Sequence, residues 1–165
     1  MALWGSVEYN LFVPPSGRIP SYGRLPQSVT SLTISVGTTA FVQIQDIMVQ
    51  LPNLDDLWLS GSSVMLDWRT PPSIGSALKG RFGGQLRLLE GYANTHVMNM
   101  LLEVPTGLHF TEVYINATRE CLLSTVRLTE ACGKTLVKLS YAVSLYGKSH
   151  PFFLSSYSWC VKCWR

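Results

Sequence analysis

A short apolar pattern recurs along this chain, and its regular spacing limits the folds that the chain can adopt. Each copy has an apolar residue, two variable residues, a second apolar residue, one variable residue and a third apolar residue. Four copies open at Val29, Leu54, Phe110 and Leu136. The first two openings are 25 residues apart (54 − 29), the last two are 26 apart (136 − 110), and the gap of 56 between them (110 − 54) is about two periods. The sequence therefore predicts a fifth copy that begins in the low eighties.

The fifth copy falls on Leu86-Arg87-Leu88-Leu89, where two phases fit. Leu86 and Leu88 are the inward pair if the spacing between copies stays even. Leu86 and Leu89 are the inward pair, with Gly91 in the third apolar slot, if the six-residue pattern is matched from its first residue. Even spacing slightly favours the first phase, and both stay open at this point.

Between these copies, apolar residues recur three or four positions apart, which is the spacing of one helix face. The four stripes are Phe41, Ile44, Met48 and Leu51; Ile74, Leu78 and Phe82; Val97, Leu101 and Val104; and Leu122 and Val126, with Leu128 and Cys132 beside them. A hydroxyl residue able to cap a helix precedes or opens each stripe, at Thr39, Ser73, Thr95 and Thr118. Alternating short strands and helices predict an α/β fold with a parallel sheet. A doubly wound sheet alternates in the same way, but its strands are long continuous apolar runs, which this sequence lacks.

The copy at Leu54, Leu57 and Leu59, followed by Ser60-Gly61, resembles the strand of a leucine-rich repeat. The unit length and the intervening helices are similar to the intracellular class of these repeats. More narrowly, residues 29–144 resemble the repeat region of F-box/leucine-rich-repeat proteins of mushroom-forming (basidiomycete) fungi. The resemblance implies a short solenoid of about five repeats, with parallel strands on one face and helices on the other. It also implies a substrate-recognition surface, with a separate F-box that recruits a ubiquitin ligase.

The sequence divides into three predicted regions. Residues 1–25 form an irregular N-terminal segment without a recognisable F-box, so a ligase adaptor is not predicted as a partner. Residues 26–145 form the leucine-rich-repeat domain, and residues 146–165 form a C-terminal tail that does not keep the period. The usual Asn or Cys after the strand is replaced by Gly37, Ser62, Thr118 and Ser144. Because neither end supplies a capping repeat, poor capping is expected, and a truncated or degenerate fragment without independent activity is an alternative interpretation.

Composition argues against several function classes. Charged residues make up 14% of the chain, below the roughly 25% of a typical soluble domain, and the 13 Lys and Arg against 10 Asp and Glu form no basic cluster. Nucleic-acid binding is therefore not expected. No apolar run approaches the roughly 20 residues of a membrane span, and residues 1–10 lack a signal peptide, which predicts a cytoplasmic or nuclear protein. The four cysteines are expected to be reduced.

No residue constellation predicts catalysis, a cofactor or a metal. Cys160 and Cys163 form one CxxC pair, whereas a structural zinc site needs four ligands. Asp55 and Asp56 are adjacent, so their side chains on a strand would point to opposite faces. The chain is therefore predicted not to be an enzyme, and a small metal or redox protein using the tail cysteines stays an alternative.

The variable positions of the repeat strands are expected to line an open face of the sheet. The predicted partner-binding residues are Asp56, Trp58, Glu112, Tyr114 and Lys138. The fifth copy adds Arg87 in one phase, or Glu90 and Tyr92 in the other. Exposed Trp and Tyr next to charge are frequent in binding hot spots. The expected partner is a protein, and the acidic pair would suit one that presents Lys or Arg.

Overall fold

A computed structural model describes residues 8–11, 26–35, 38–60, 63–65, 75–89, 95–118, 121–144 and 155–160. Within them lie nine strands: β1 (Glu8–Leu11), β2 (Ser31–Ser35), β3 (Thr38–Ala40), β4 (Asp56–Ser60), β5 (Ser63–Met65), β6 (Gln85–Leu88), β7 (Glu112–Thr118), β8 (Lys138–Ser144) and β9 (Ser155–Cys160). The helices are α1 (Phe41–Val49), α2 (Thr95–Leu102) and α3 (Leu122–Ala131), with a 3-10 turn at Gly75–Ala77.

Seven of the described strands form one open sheet in the order β1-β2-β4-β6-β7-β8-β9. The first six are parallel to their neighbours, and β9 runs antiparallel to β8. β3 and β5 form a separate parallel pair. The strand order of the main sheet follows the order of the chain without a reversal, unlike a doubly wound sheet, which reverses at its switch point. The predicted α/β class with a parallel sheet is therefore confirmed.

The inward side chains of the strands and one face of each helix share a single apolar core. Alternate strand residues point to the same side of a sheet, so the apolar pairs of the repeated pattern all enter this core. The buried strand residues are Leu32, Ile34, Leu57, Leu59, Leu86, Leu88, Val113 and Ile115. The β8 pair, Leu139 and Tyr141, is half-buried against the same core. One side of the sheet is thus covered by helices, and the opposite side chains are left for solvent or a partner.

The backbone before each strand repeats the same hydrogen bonds. Asp55 N–H donates to the Thr30 carbonyl at 2.8 Å, and Gly84 N–H donates to the Asp55 carbonyl at 3.2 Å. Thr111 N–H donates to the Gly84 carbonyl at 2.9 Å, and Val137 N–H donates to the Thr111 carbonyl at 2.7 Å. The segment before each of these strands is therefore bonded to the segment before the next strand. This bonding sets the register, that is, which residues of neighbouring strands lie side by side.

The phase of the fifth copy is fixed by Phe82. This residue is fully buried, and its backbone joins the turns on either side, donating to the Leu54 carbonyl at 2.9 Å and accepting from His109 N–H at 3.0 Å. Phe82 precedes Leu86 by four residues (86 − 82), whereas Leu54 precedes Leu57 by three (57 − 54), so this copy carries one extra residue. Phe82 takes up the extra length with a left-handed φ of 48°, which is uncommon for a non-glycine residue. Leu86 and Leu88 are consequently the inward pair, as the even spacing favoured.

The helix predicted from Ile74, Leu78 and Phe82 does not form over residues 75–89, and Ile74 itself lies outside the described residues. Only the 3-10 turn is present there, although Leu78 and Phe82 are buried. Gly75, Gly80 and the Gly83-Gly84 pair make a continuous helix unfavourable. The apolar spacing was therefore a correct indicator of burial and a wrong indicator of conformation.

The inward face of α3 also differs from the prediction. Leu122 and Val126 are exposed at 49% and 43%, while Ser124, Thr125 and Leu128 are buried. The α3 N-cap is Cys121 and not Thr118, which ends β7. Thr125 is accommodated inside because its hydroxyl donates to the Cys121 carbonyl at 3.0 Å. Two small hydroxyl residues thus share the buried face with Leu128, and Leu122 and Val126 lie outside.

Each of the two regions that flank the predicted repeat domain contains one strand of the main sheet. β1 lies in the range 1–25 that was predicted irregular, and it pairs in parallel with β2 through Tyr9 and Leu32. β9 lies in the tail 146–165 and pairs with β8 through Trp159 and Leu139. The main sheet consequently includes one strand from each flanking region.

Candidate functional site

The side of the sheet opposite the helices carries two rows of side chains, which we call the outer face. Strand pairing sets Thr33, Trp58, Arg87, Tyr114 and Ser140 side by side in one row. It sets Ser31, Asp56, Gln85, Glu112 and Lys138 in the second row, with Gln85 placed beside Asp56 by the same parallel register. All five predicted partner-binding residues therefore lie on one surface, on strands β4, β7 and β8, with β6 between the first two.

Arg87 is held between two aromatic rings at the centre of the outer face. Its guanidinium carbon lies 4.5 Å from the centroid of the Trp58 ring and 4.8 Å from that of Tyr114. Both distances are within the range of a cation–π interaction. The guanidinium also donates to the Gln85 Oε1 atom at 3.2 Å. Neighbouring strands bring these three bulky side chains together, and each limits the rotamers of the next.

Tyr114 contacts two charged residues of the second row, Glu112 on β7 and Lys138 on β8. The Tyr114 hydroxyl donates to Glu112 Oε2 at 2.7 Å, and the Lys138 Nζ atom lies 5.1 Å from the Tyr114 ring centroid. A hydrogen bond with Tyr114 is the main cause that raises the pKa of the exposed Lys138 ammonium group, with a smaller contribution from the Glu112 carboxylate. Lys138 is therefore a cation at neutral pH.

Asp56 has a structural contact as well as a place on the outer face. Its Oδ1 atom accepts the Gln85 backbone N–H at 2.6 Å, and the neighbouring Asp55 Oδ1 accepts the Gly83 N–H at 3.3 Å. The two carboxylates thus both accept backbone N–H groups at the start of β6. Gly84 allows this approach, because a Cβ atom there would overlap Asp56 Oδ1.

A shallow pocket of about 200 Å³ opens in front of Trp58. Its walls include Ser31, Thr33, Asp56, Trp58, Gln85 and Arg87. Trp58 is 39% exposed, a large fraction for an indole on a strand, and Asp56 and Arg87 are half-buried. The pocket combines an aromatic wall, a carboxylate and two hydroxyl groups, which can bind a ligand but do not form a nucleophile–base pair.

The other titratable groups among the described residues are dispersed. His96 packs edge-on against Phe41 with ring centroids 6.3 Å apart, and His109 Nε2 lies 3.1 Å from the Thr106 carbonyl. Cys121 and Cys132 are buried thiols, and the Cys121 Sγ atom accepts a hydrogen bond from the Thr95 hydroxyl at 3.8 Å. Cys163, one half of the CxxC pair, lies outside the described residues. In the part of the chain that is described, no three His, Cys, Asp or Glu residues are grouped as metal ligands, and no helix is long and apolar enough to cross a membrane.

Sequence reasoning located the outer face but not its central contact. Arg87 was one of two choices for the fifth copy, and its alternatives, Glu90 and Tyr92, lie outside the described residues. Gln85 and Ser31 were not selected, although their place two residues before the row of Arg87 and Thr33 could have indicated them. Asp56 and Glu112 alone suggested an acidic surface. The outer face has balanced charge, because Arg87 lies on the strand between them and Lys138 lies beside Glu112.

Comparison with known proteins returns no match: no protein-family model matches the chain, no curated protein is significantly similar to it, and no solved structure matches it.

Proposed function

We propose that this chain is a protein-recognition module of the leucine-rich-repeat type, which binds a protein partner through the outer face. The sequential parallel strands support the repeat interpretation, since stacked units of about 25 to 29 residues would pair in this order. About five repeats and a short solenoid are part of this proposal.

The stack of Trp58, Arg87 and Tyr114 is the observation that carries the binding role. Trp, Tyr and Arg are the residue types most enriched in the energetic centres of protein interfaces. The stack holds all three on neighbouring strands at 4.5 and 4.8 Å, so little side-chain entropy is left to lose on binding. A preordered aromatic surface beside charged groups suits a protein partner better than a catalytic role. We accordingly propose that the chain is not an enzyme.

The fungal F-box resemblance extends this proposal to the pathway. In that setting the outer face would recognise the protein to be ubiquitylated, in the cytoplasm or nucleus, and a different segment or subunit would contact the ligase. This part rests on the resemblance of residues 29–144 alone.

The test is affinity purification of the tagged chain from its native cells, with quantitative mass spectrometry. The test variant is Trp58→Ala with Tyr114→Ala, and the matched control is Asn99→Ala with Glu130→Ala, two exposed residues on α2 and α3. We expect a partner that is retained by the parent and the control and lost from the folded test variant. Equal recovery by both double variants, or no specific partner, would contradict a role for the outer face and favour a degenerate fragment.

A further inference from the structure

The pocket in front of Trp58 is lined mostly by groups that accept hydrogen bonds or attract positive charge. Asp56 supplies a carboxylate, and its hydrogen bond from Gln85 N–H engages Oδ1 but leaves further acceptor capacity. Ser31 and Thr33 supply hydroxyl oxygens. The Trp58 ring adds the negative face of its π system. Together these groups fit a cation that can also donate hydrogen bonds.

Among the described residues, one face of the Trp58 indole is covered and the other is not. Arg87 on β6 covers one face at 4.5 Å. On the other side, the residue in register is Thr33 of β2, whose short side chain cannot cover an indole ring. This difference accounts for the 39% exposure of Trp58 and for the pocket beside Ser31 and Thr33.

Arg87 shows within this protein what the free face of Trp58 can bind. A guanidinium group on the neighbouring strand already stacks on that ring and donates to a side-chain oxygen, Gln85 Oε1. Around the pocket the comparable oxygens are those of Asp56 on β4 and of Ser31 and Thr33 on β2. Arg87 also lines the pocket, but its guanidinium already contacts two rings and an amide oxygen, whereas no cationic side chain among the described residues pairs with the Asp56 carboxylate.

We infer that this pocket is a subsite for a basic side chain, Arg or Lys, of the protein partner. The side chain would stack on the β2-facing side of Trp58 and donate to Asp56, and Ser31 and Thr33 would complete its hydrogen bonds. This inference rests on the proposed function and names the chemistry by which the outer face selects its partner.

The experiment uses N-acetyl-arginine amide as a probe and follows the Trp58 indole N–H signal in two-dimensional ¹H–¹⁵N NMR of the full chain. The chain has 5 Trp residues, and the Trp58 signal is the one missing from Trp58→Phe. We expect the probe to shift this signal and the neutral analogue N-acetyl-citrulline amide to leave it in place. Asp56→Asn keeps an acceptor for Gln85 N–H and removes the charge, and we expect it to weaken the response by about fivefold. Asp46→Asn, the same change on the exposed side of α1, should respond like the parent.

A second variant tests the free face of Trp58 without relying on Asp56. In Thr33→Arg an internal guanidinium stands in register beside Trp58 on β2, as Arg87 does on β6. We expect this variant to move the Trp58 signal without any ligand and to abolish the response to the probe. An equal response to arginine and citrulline, an unchanged response in Asp56→Asn or Thr33→Arg, or no response at all would overturn the subsite. A larger shift with a single-stranded oligonucleotide would also overturn it.

The same variants separate this subsite from the wider proposal. If the cellular partner is lost from Trp58→Ala with Tyr114→Ala but retained by Asp56→Asn, the outer face binds a partner without a basic anchor in this pocket. If both variants retain the partner, the proposed function itself fails.

Discussion

Gly84 and Gly83 are adjacent, yet we expect alanine to destabilise the protein at Gly84 and not at Gly83. A Cβ atom at Gly84 would overlap Asp56 Oδ1 and lie 2.9 Å from Asp56 Cγ. A Cβ atom at Gly83 would meet Asp55 Oδ1 at 3.4 Å, an ordinary contact. Among the described glycines, a positive φ is found at Gly107, so neither Gly83 nor Gly84 is required for its backbone conformation. The difference is therefore steric and arises from the Asp56 carboxylate.

The magnitude follows from the hydrogen bond that the carboxylate would lose. Displacing Asp56 breaks its 2.6 Å bond from Gln85 N–H. A hydrogen bond to a charged group contributes about 1.5–3 kcal/mol, and Gly→Ala recovers about 0.4–1 kcal/mol by restricting the unfolded chain. Gly84→Ala should consequently lower the free energy of unfolding by about 1–2 kcal/mol. Gly83→Ala should leave it unchanged or raise it by less than about 1 kcal/mol.

Urea unfolding followed by circular dichroism measures both changes, with an unchanged m-value as the sign that the comparison is valid. The decisive control is Gly84→Ala in an Asp56→Ala background, where the carboxylate and its bond are already absent. There the added methyl group should cost nothing and can stabilise by about 0.4–1 kcal/mol. If Gly84→Ala costs the same in both backgrounds, or if both glycines respond alike, the described contact between Gly84 and Asp56 is wrong.

Two further predictions concern the buried side. Gln45 on α1 is 1% exposed, and its Nε2 atom has no hydrogen-bond partner among the described residues. Gln45→Met should therefore raise the free energy of unfolding by about 1 kcal/mol. Urea unfolding measures this change, and a loss of stability would refute the prediction. Burial raises the pKa of the Cys132 thiol from 9.0 to about 11, and a hydrogen bond with the Phe110 backbone opposes this to a smaller extent. As the pH rises, the Cys132 thiol therefore ionises in the unfolded state before it ionises in the folded state. Stability should therefore fall as the pH rises from 9.0 to about 11, and Cys132→Ala should show a smaller fall in parallel thermal melts; identical pH profiles would contradict the raised pKa.

The strands and the outer face could be predicted because one pattern encodes both. Leu57 and Leu59 alternate with Trp58, so recognising the buried pair also identifies the residue on the opposite side. The spacing of copies then predicted that Trp58 and Tyr114 would lie in one row. Their direct neighbour was ambiguous, since a single extra residue between Phe82 and Leu86 shifts the pattern by one.

The helices were less predictable, because apolar spacing indicates which residues are buried but not whether they lie in a helix. Leu78 and Phe82 enter the core from a glycine-rich segment that is not an α-helix. In α3 the buried Ser124 and Thr125 carry no hydrophobic signal, so the apolar Leu122 and Val126 were assigned inward. Hydroxyl groups that bond to the backbone of their own helix, as Thr125 does, can be buried without appearing so in the sequence.

The sequential strand order has a consequence for how the chain folds. The partners Leu32 and Leu57, Leu57 and Leu86, Leu86 and Val113, and Val113 and Leu139 are separated by 25, 29, 27 and 26 residues (57 − 32, 86 − 57, 113 − 86 and 139 − 113). Loop-closure entropy depends only on the logarithm of this length, so the four pairings differ by about 0.1 kcal/mol in that cost. The loop-closure entropy therefore favours none of the four strand pairings over the others. Folding of the sheet can therefore nucleate at whichever strand pair packs best. The sheet can then grow strand by strand in both directions from that pair.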